Sequence, residues 1–147
     1  MEVNKMKLKI IPVFALLTLS LWIVSCTPVT SPVTSLDISC DDFRAQQHIS
    51  KEVTAAVGDS FTVALCSNAT TGFQWSESAQ ISDSTVVQQT DHKFVSPDTE
   101  LVGAPGKEVW TFKGLKKGTS TISLEYSRPW EGGEKGEWAL NLNVVVK

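Results

Sequence analysis

Phe61-Thr62-Val63-Ala64-Leu65-Cys66 carries a large residue at every second position, and Phe73-Gln74-Trp75 takes the alternation up again. Between them stands Asn68-Ala69-Thr70-Thr71-Gly72. Successive side chains of a strand point to opposite faces, so a period of two marks a strand with one face buried and one wet. Asn and Gly tolerate left-handed backbone angles, and Asn bonds its own backbone two residues on. The β-branched threonines have few χ1 rotamers. The stretch therefore predicts a strand, a short rigid loop and a second strand. Such a loop suits insertion into a partner's cleft. Taken alone, an ordinary strand connection is the simpler reading.

Working outward, the same alternation predicts seven strands, at 49–57, 60–66, 74–80, 86–95, 108–115, 119–127 and 137–146. In the sixth, Ile122, Leu124 and Tyr126 face inward while Thr121, Ser123 and Glu125 face outward. In the seventh, Trp138, Leu140, Leu142, Val144 and Val146 fall in line. Turn residues at Gly58-Asp59, Thr71-Gly72, Gly103 to Gly106, Lys117-Gly118 and Gly132-Gly133 separate the runs. Only 40–47 and 76–85 hint at a helical turn. Seven short strands over about 100 residues predict an all-β fold, an immunoglobulin-like antiparallel β-sandwich. The Cys-Trp-Cys pattern of antibody domains is absent.

The first residues read differently. Lys5, Lys7 and Lys9 precede an uncharged apolar run of 15 residues from Ile10 to Val24, too short for a typical spanning helix and right for a signal-peptide core. The run closes on Ile23-Val24-Ser25-Cys26, which resembles a bacterial-type lipobox. That resemblance implies a lipoprotein signal peptide at 1–25, cleavage after Ser25, and lipid on Cys26. Residues 26–37, dominated by Ser, Thr and Pro, then read as a tether, and the domain proper as 38–147. The expected location is the outer face of the cell membrane or the periplasm. Removing 1–25 takes three lysines and one glutamate, so the net charge moves from −3 to about −5. An acidic domain with scattered lysines excludes a nucleic-acid binder. It also leaves lipid, not charge, to hold the chain to a membrane. Cys40 and Cys66 remain as an even pair in an exported chain, where disulfides persist, and a bridge between them is expected.

Catalytic patterns are missing. There is no Gly-x-Ser-x-Gly, no His-Glu-x-x-His and no phosphate-binding Gly loop. There is no Cys-x-x-Cys, and His48 and His92 lie far apart, so neither metal nor cofactor is expected. Both histidines read as solvated surface residues, and Glu131, Glu134 and Glu137 as an exposed acidic loop. Arg128-Pro129-Trp130 is not ordinary turn chemistry. Trp and Arg are frequent interface anchors, and a Pro between them lowers the ordering cost of binding.

Asn68-x-Thr70-Thr71-Gly72-Phe73, then Gly103-Ala104-Pro105-Gly106, then Arg128-Pro129-Trp130 resembles, in that order, the three loop motifs of the chagasin family of cysteine-peptidase inhibitors. The resemblance covers about 53–146. Ala69 stands where the family usually has Pro, and Pro105 where it has Gly. It implies a chain that is not an enzyme but a reversible inhibitor, one that plugs the active-site cleft of papain-like cysteine peptidases with three loops. Thr70-Thr71 would approach the catalytic Cys-His pair, and Gly72 would allow close backbone approach. Trp130, braced by Pro129, would pack on one side of the cleft. Arg128 would support its loop or touch the enzyme, and Gly103 to Gly106 would lie along the other side. A monomer is expected. The alternative is a lipid-anchored binding or adhesion module that shares only the sandwich. Placement of Trp130 near or far from Thr71 separates the two.

Overall fold

The computed structural model describes residues 34–99 and 101–147. The leader, Cys26 and the tether up to residue 33 lie outside the described residues. In chain order the elements are β1 (Thr34–Ile38), α1 (Cys40–Ala45), β2 (His48–Ala55), β3 (Ser60–Ser67), β4 (Gln74–Trp75), β5 (Gln80–Ile81), β6 (Val87–Val95), β7 (Gly106–Gly114), β8 (Gly118–Ser127) and β9 (Trp138–Val146). One sheet runs β1-β3-β7-β6, and the other β2-β9-β8-β4, with β5 also on β8. Their inner faces make the core of a β-sandwich, filled by Phe61, Val63 and Leu65 from β3, Trp110 and Phe112 from β7, Ile122 and Leu124 from β8, and Leu140, Leu142 and Val144 from β9. These are the residues that the period of two turns inward.

Three local differences from the sequence reading have physical causes. First, the sandwich takes in the last four residues of the stretch read as tether, because Thr34–Ile38 pairs with β3. Pairing there is parallel, as is β2 with β9, so the sheets are not purely antiparallel. Second, the strand expected at 74–80 is broken into β4 and β5. The backbone between them turns to the other sheet, where Trp110 Nε1 and Gln89 Nε2 donate to Glu77 O at 3.2 and 2.8 Å. Ala79 N donates to Gln89 Oε1 at 2.8 Å. Third, His92 is no solvated surface residue. It stacks on Trp110 with ring centroids 4.8 Å apart, and its Nε2 lies 2.6 Å from Glu108 Oε2. The ladder between β6 and β7 shifts register between Gln89 and Asp91, so parity along β6 changes midway and a single alternation cannot describe it.

The helical hint at 40–47 becomes α1. Ser39 caps it: its hydroxyl accepts from Asp42 N at 3.2 Å, while Asp42 Oδ2 accepts from Ser39 N at 2.9 Å and Ser39 Oγ at 2.6 Å. The Ser39 hydroxyl, then its backbone N–H, hold the Asp42 carboxyl below the usual carboxylate range. The helix delivers Phe43, fully buried, against Trp138 and Trp75 at 5.0 and 5.2 Å between centroids. Burial of such a ring stabilises by about 1.5–3 kcal/mol. Cys40, at the start of α1, is disulfide-bonded to Cys66 near the end of β3, with Cα atoms 5.1 Å apart. Cys66 points away from the Phe61, Val63 and Leu65 face yet is buried, because α1 covers that end of the strand.

The bridge closes a loop across a separation of 26 residues. Replacing both cysteines (Cys40→Ser with Cys66→Ser) should lower unfolding free energy in urea by about 3 kcal/mol while leaving the far-ultraviolet β signal intact. Unchanged stability would show that packing of Phe43 alone fixes α1.

Candidate functional site

Register sets where the loops go. β3 ends at Ser67 beside Gly106, and β4 begins at Gln74 beside Ser127. The connection 68–73 therefore crosses from one sheet to the other at one pole of the sandwich. The connection 96–105 flanks it on the first sheet's side, and 128–137 on the second's. Thus the loops form a row with the Asn68 loop in the middle.

The middle member is internally locked. Residues Ala69–Thr71 form a single 3-10 turn. Asn68 Oδ1 accepts from Thr70 N at 3.1 Å and from Thr70 Oγ1 at 2.7 Å, while Thr71 Oγ1 donates to Asn68 O at 2.7 Å. Gly72 ends the turn at φ +78°, a left-handed angle that favours glycine. Beneath, the buried Tyr126 hydroxyl accepts from Asn68 N at 3.0 Å and donates to Asn68 O at 3.3 Å. Phe73 stacks on Tyr126 at 5.4 Å. Bonds from Asn68 and the Tyr126 hydroxyl thus supply the stiffness that Pro would give at position 69.

Both neighbours are tied to this loop. Asn68 Nδ2 donates to Gly103 O at 3.0 Å, joining the loop on the first sheet's side. On the other side Trp130 lies over Gly72. A Cβ at Gly72 would stand 2.9 Å from Trp130 Cη2, so only glycine admits this contact. The Arg128 guanidinium sits 4.5 Å from the Phe73 ring centroid and 5.7 Å from that of Trp130, a cation–π arrangement across the two loops. Arg128 is therefore half-buried as a brace between loops. The hairpin beyond it is closed by Arg128 N to Glu134 O at 2.8 Å and Gly133 N to Trp130 O at 3.1 Å. The Lys135 ammonium donates to Arg128 O and, at 3.3 Å, to Trp130 O.

Among the residues singled out from sequence, Thr70, Thr71, Gly103, Pro105, Pro129 and Trp130 are exposed along the row, and Trp130 is 51 % exposed. Asn68, Gly72, Phe73, Ala104 and Arg128 are half-buried, and all but Ala104 make the contacts between loops. Gly106 differs: it opens β7 and is buried, where an added Cβ would meet Val95 O at 2.5 Å and Phe94 Cζ at 2.6 Å. Its role is to let β6 and β7 approach, not to line the row. Sequence reading passed over Leu101 and Val102, 74 % and fully exposed in the flanking loop, and the bracing groups Tyr126 and Lys135. An apolar pair in a Gly/Pro loop was the available signal for the first two. Lys135 carried none. Among the described residues no three His, Cys, Asp or Glu side chains gather as metal ligands.

Comparison with known proteins agrees with this geometry. Residues 54–144 match the family described as Chagasin family peptidase inhibitor I42. Chagasin of Trypanosoma cruzi is 37 % identical over 91 residues, spanning 58 % of this chain and 79 % of chagasin. Amoebiasin-2 of Entamoeba histolytica is 34 % identical over 89 residues, 60 % of this chain and 72 % of that protein. In fold the chain resembles the cysteine protease inhibitor EhICP2 from Entamoeba histolytica, with a TM-score of 0.61 at 24 % identity, covering 80 % of this chain and 99 % of that one. It also resembles PbICP-C, solved in complex with falcipain-2, with a TM-score of 0.56 at 21 % identity, covering 78 % and 99 %.

Gly72→Ala puts a methyl where Trp130 packs and strains a left-handed residue. It should cost about 1–2 kcal/mol of stability and raise acrylamide quenching of tryptophan emission as Trp130 is displaced. Unchanged quenching would mean that Trp130 does not rest on Gly72 in solution.

Proposed function

The chain belongs to the chagasin family of peptidase inhibitors, and from that premise we propose that it reversibly blocks the active-site cleft of papain-like cysteine peptidases with the row of loops around Asn68, Gly103 and Trp130. The observation that carries this is the contact of Trp130 with Gly72. It supports a continuous edge, with an exposed aromatic beside the threonine tip and a second loop tied to the other flank. A binding or adhesion module needs no such row, and the separation of Trp130 from Thr71 that would favour it is not observed.

The mechanism follows from rigidity. Thr70 and Thr71 are exposed, yet their backbone is wound into a 3-10 turn in which Asn68 O and Ala69 O accept from Thr71 N and Gly72 N, and both threonine hydroxyls donate to Asn68. A peptidase acts on a scissile carbonyl held in near-attack geometry. This turn offers the cleft a filled surface and no extended peptide in register for cleavage. Preformed loops on a stiff scaffold lose little conformational entropy on docking, and Trp130 supplies a large anchor at little cost in side-chain order. Arg128 serves by holding Phe73 and Trp130 in fixed relation. Leu101 and Val102 extend the row with apolar surface on the side of Gly103 to Pro105.

Signal cleavage after Ser25, lipid on Cys26 and residence on the outer face of the membrane or in the periplasm follow from the lipobox-like sequence. The inhibitor acts as a monomer and uses no cofactor. Titrated against papain, the chain should inhibit reversibly. Trp130→Ala should raise the inhibition constant at least tenfold and move the melting temperature by less than about 3 °C, since Trp130 is half-exposed. A large loss of stability without loss of inhibition would make Trp130 a structural residue.

A further inference from the structure

We propose that membrane attachment and peptidase binding occupy opposite poles of the sandwich, so that the anchored inhibitor faces outward and captures soluble papain-like peptidases approaching from the aqueous side. This rests on the readings of Cys26 as lipidated and of the loop row as the inhibitory edge.

β1 lies parallel to β3, with Thr34 opposite Phe61 and Ile38 opposite Leu65. β3 then runs on to Ser67 and the Asn68 loop. The chain therefore joins the domain at the far pole, beside the Gly58 turn, and climbs toward the loops. Lys107 pairs with Asp37 and the Cys40–Cys66 bridge follows at once, so β1 is fastened along its length. Eight residues of β3 separate the poles by about 26 Å. The eight residue steps from Cys26 to Thr34 reach at most about 29 Å when fully extended. Bringing the loops to the membrane would need that tether stretched back along the whole domain, with no room left for a peptidase.

Charge gives a second, independent observation. Lys113, Lys116, Lys117 and Lys147 are exposed at the attachment pole, which also carries Asp59 and Asp83. The Trp130 hairpin and its neighbourhood carry Glu125, Glu131, Glu134 and Glu137 against Arg128 and Lys135. Next to an anionic membrane surface the lysine pole is drawn in and the glutamate pole repelled, within a Debye length of the surface.

The mature form from Cys26 carries the tether and all the described residues, so it is suited to test this. Cys26, its one thiol outside the disulfide, is coupled to maleimide-lipid vesicles containing phosphatidylserine. A second form, Cys26→Ser with Gln47→Cys, is coupled at the loop pole, where Gln47 O accepts from Ala139 N. Inhibition of soluble papain by the Cys26-coupled form should stay within about threefold of the free chain, while the Gln47-coupled form loses at least tenfold. Equal loss in both forms, or full inhibition by both, would overturn the proposal. Free chain that fails to inhibit papain would sink the inhibitory reading and this inference with it. An unlipidated Cys26 in the mass spectrum of chain expressed in a bacterial host would refute the lipid reading alone, leaving the vesicle result standing.

Discussion

The Tyr126 hydroxyl sits under the first loop and bonds both the N–H and the C=O of Asn68. The rest of the loop pole depends on that pair of bonds. They set the height and direction of Asn68, whose side chain then shapes the threonine turn with one atom and holds Gly103 with another. The turn delivers Gly72, and Gly72 gives Trp130 a surface to rest on. Three loops that are far apart in sequence become one edge because each is bonded or packed against the same few atoms. Such coupling is what allows an interface to be ordered before its partner arrives.

Tyr126 is itself held by aromatic packing. It stacks on Trp138 at 4.9 Å and touches Trp75 at 5.1 Å, and Phe43 packs against both tryptophans. Trp75 also reaches Trp110 edge-on and donates Nε1–H to Cys66 O at 2.9 Å. This cluster joins the two sheets at the loop end. α1 contributes to it through Phe43, and the Cys40–Cys66 bridge fastens α1 beside the root of the first loop. The N-terminal segment is therefore support for the site. It lies outside residues 54–144, the region matched by the family. In this chain a disulfide and a buried phenylalanine brace a loop that lacks Pro at position 69.

The sandwich was legible because its inward residues alternate without interruption on β3, β7, β8 and β9. The reading failed where a strand does not keep one parity. β6 shifts register at its middle, so His92, polar between Asp91 and Lys93, packs on Trp110 instead of facing solvent. Residues 77–79 leave their own sheet to bond the other, which no alternation records. β1 is five residues in a Ser/Thr/Pro-rich setting, and its partner is set by parallel pairing with distant residues. At the site, motif order pointed to the loops but not to the function of each residue. Gly72 and Gly106 look equivalent in sequence. One makes room for Trp130, and the other lets two strands meet under Phe94. Tyr126 reads as another inward residue of its strand, and only its hydroxyl partner shows that it sets the first loop.

An inhibitory loop edge must occupy the catalytic cleft itself and not bind elsewhere on the peptidase. Binding to papain whose catalytic cysteine carries a bulky, irreversible, substrate-like blocker that fills the cleft tests it most directly, by calorimetry beside the unblocked enzyme. Binding should be abolished, or weakened at least a hundredfold, by the blocker. Equal affinity for blocked and unblocked enzyme would contradict it, since the Asn68 turn and Trp130 would then be acting outside the cleft.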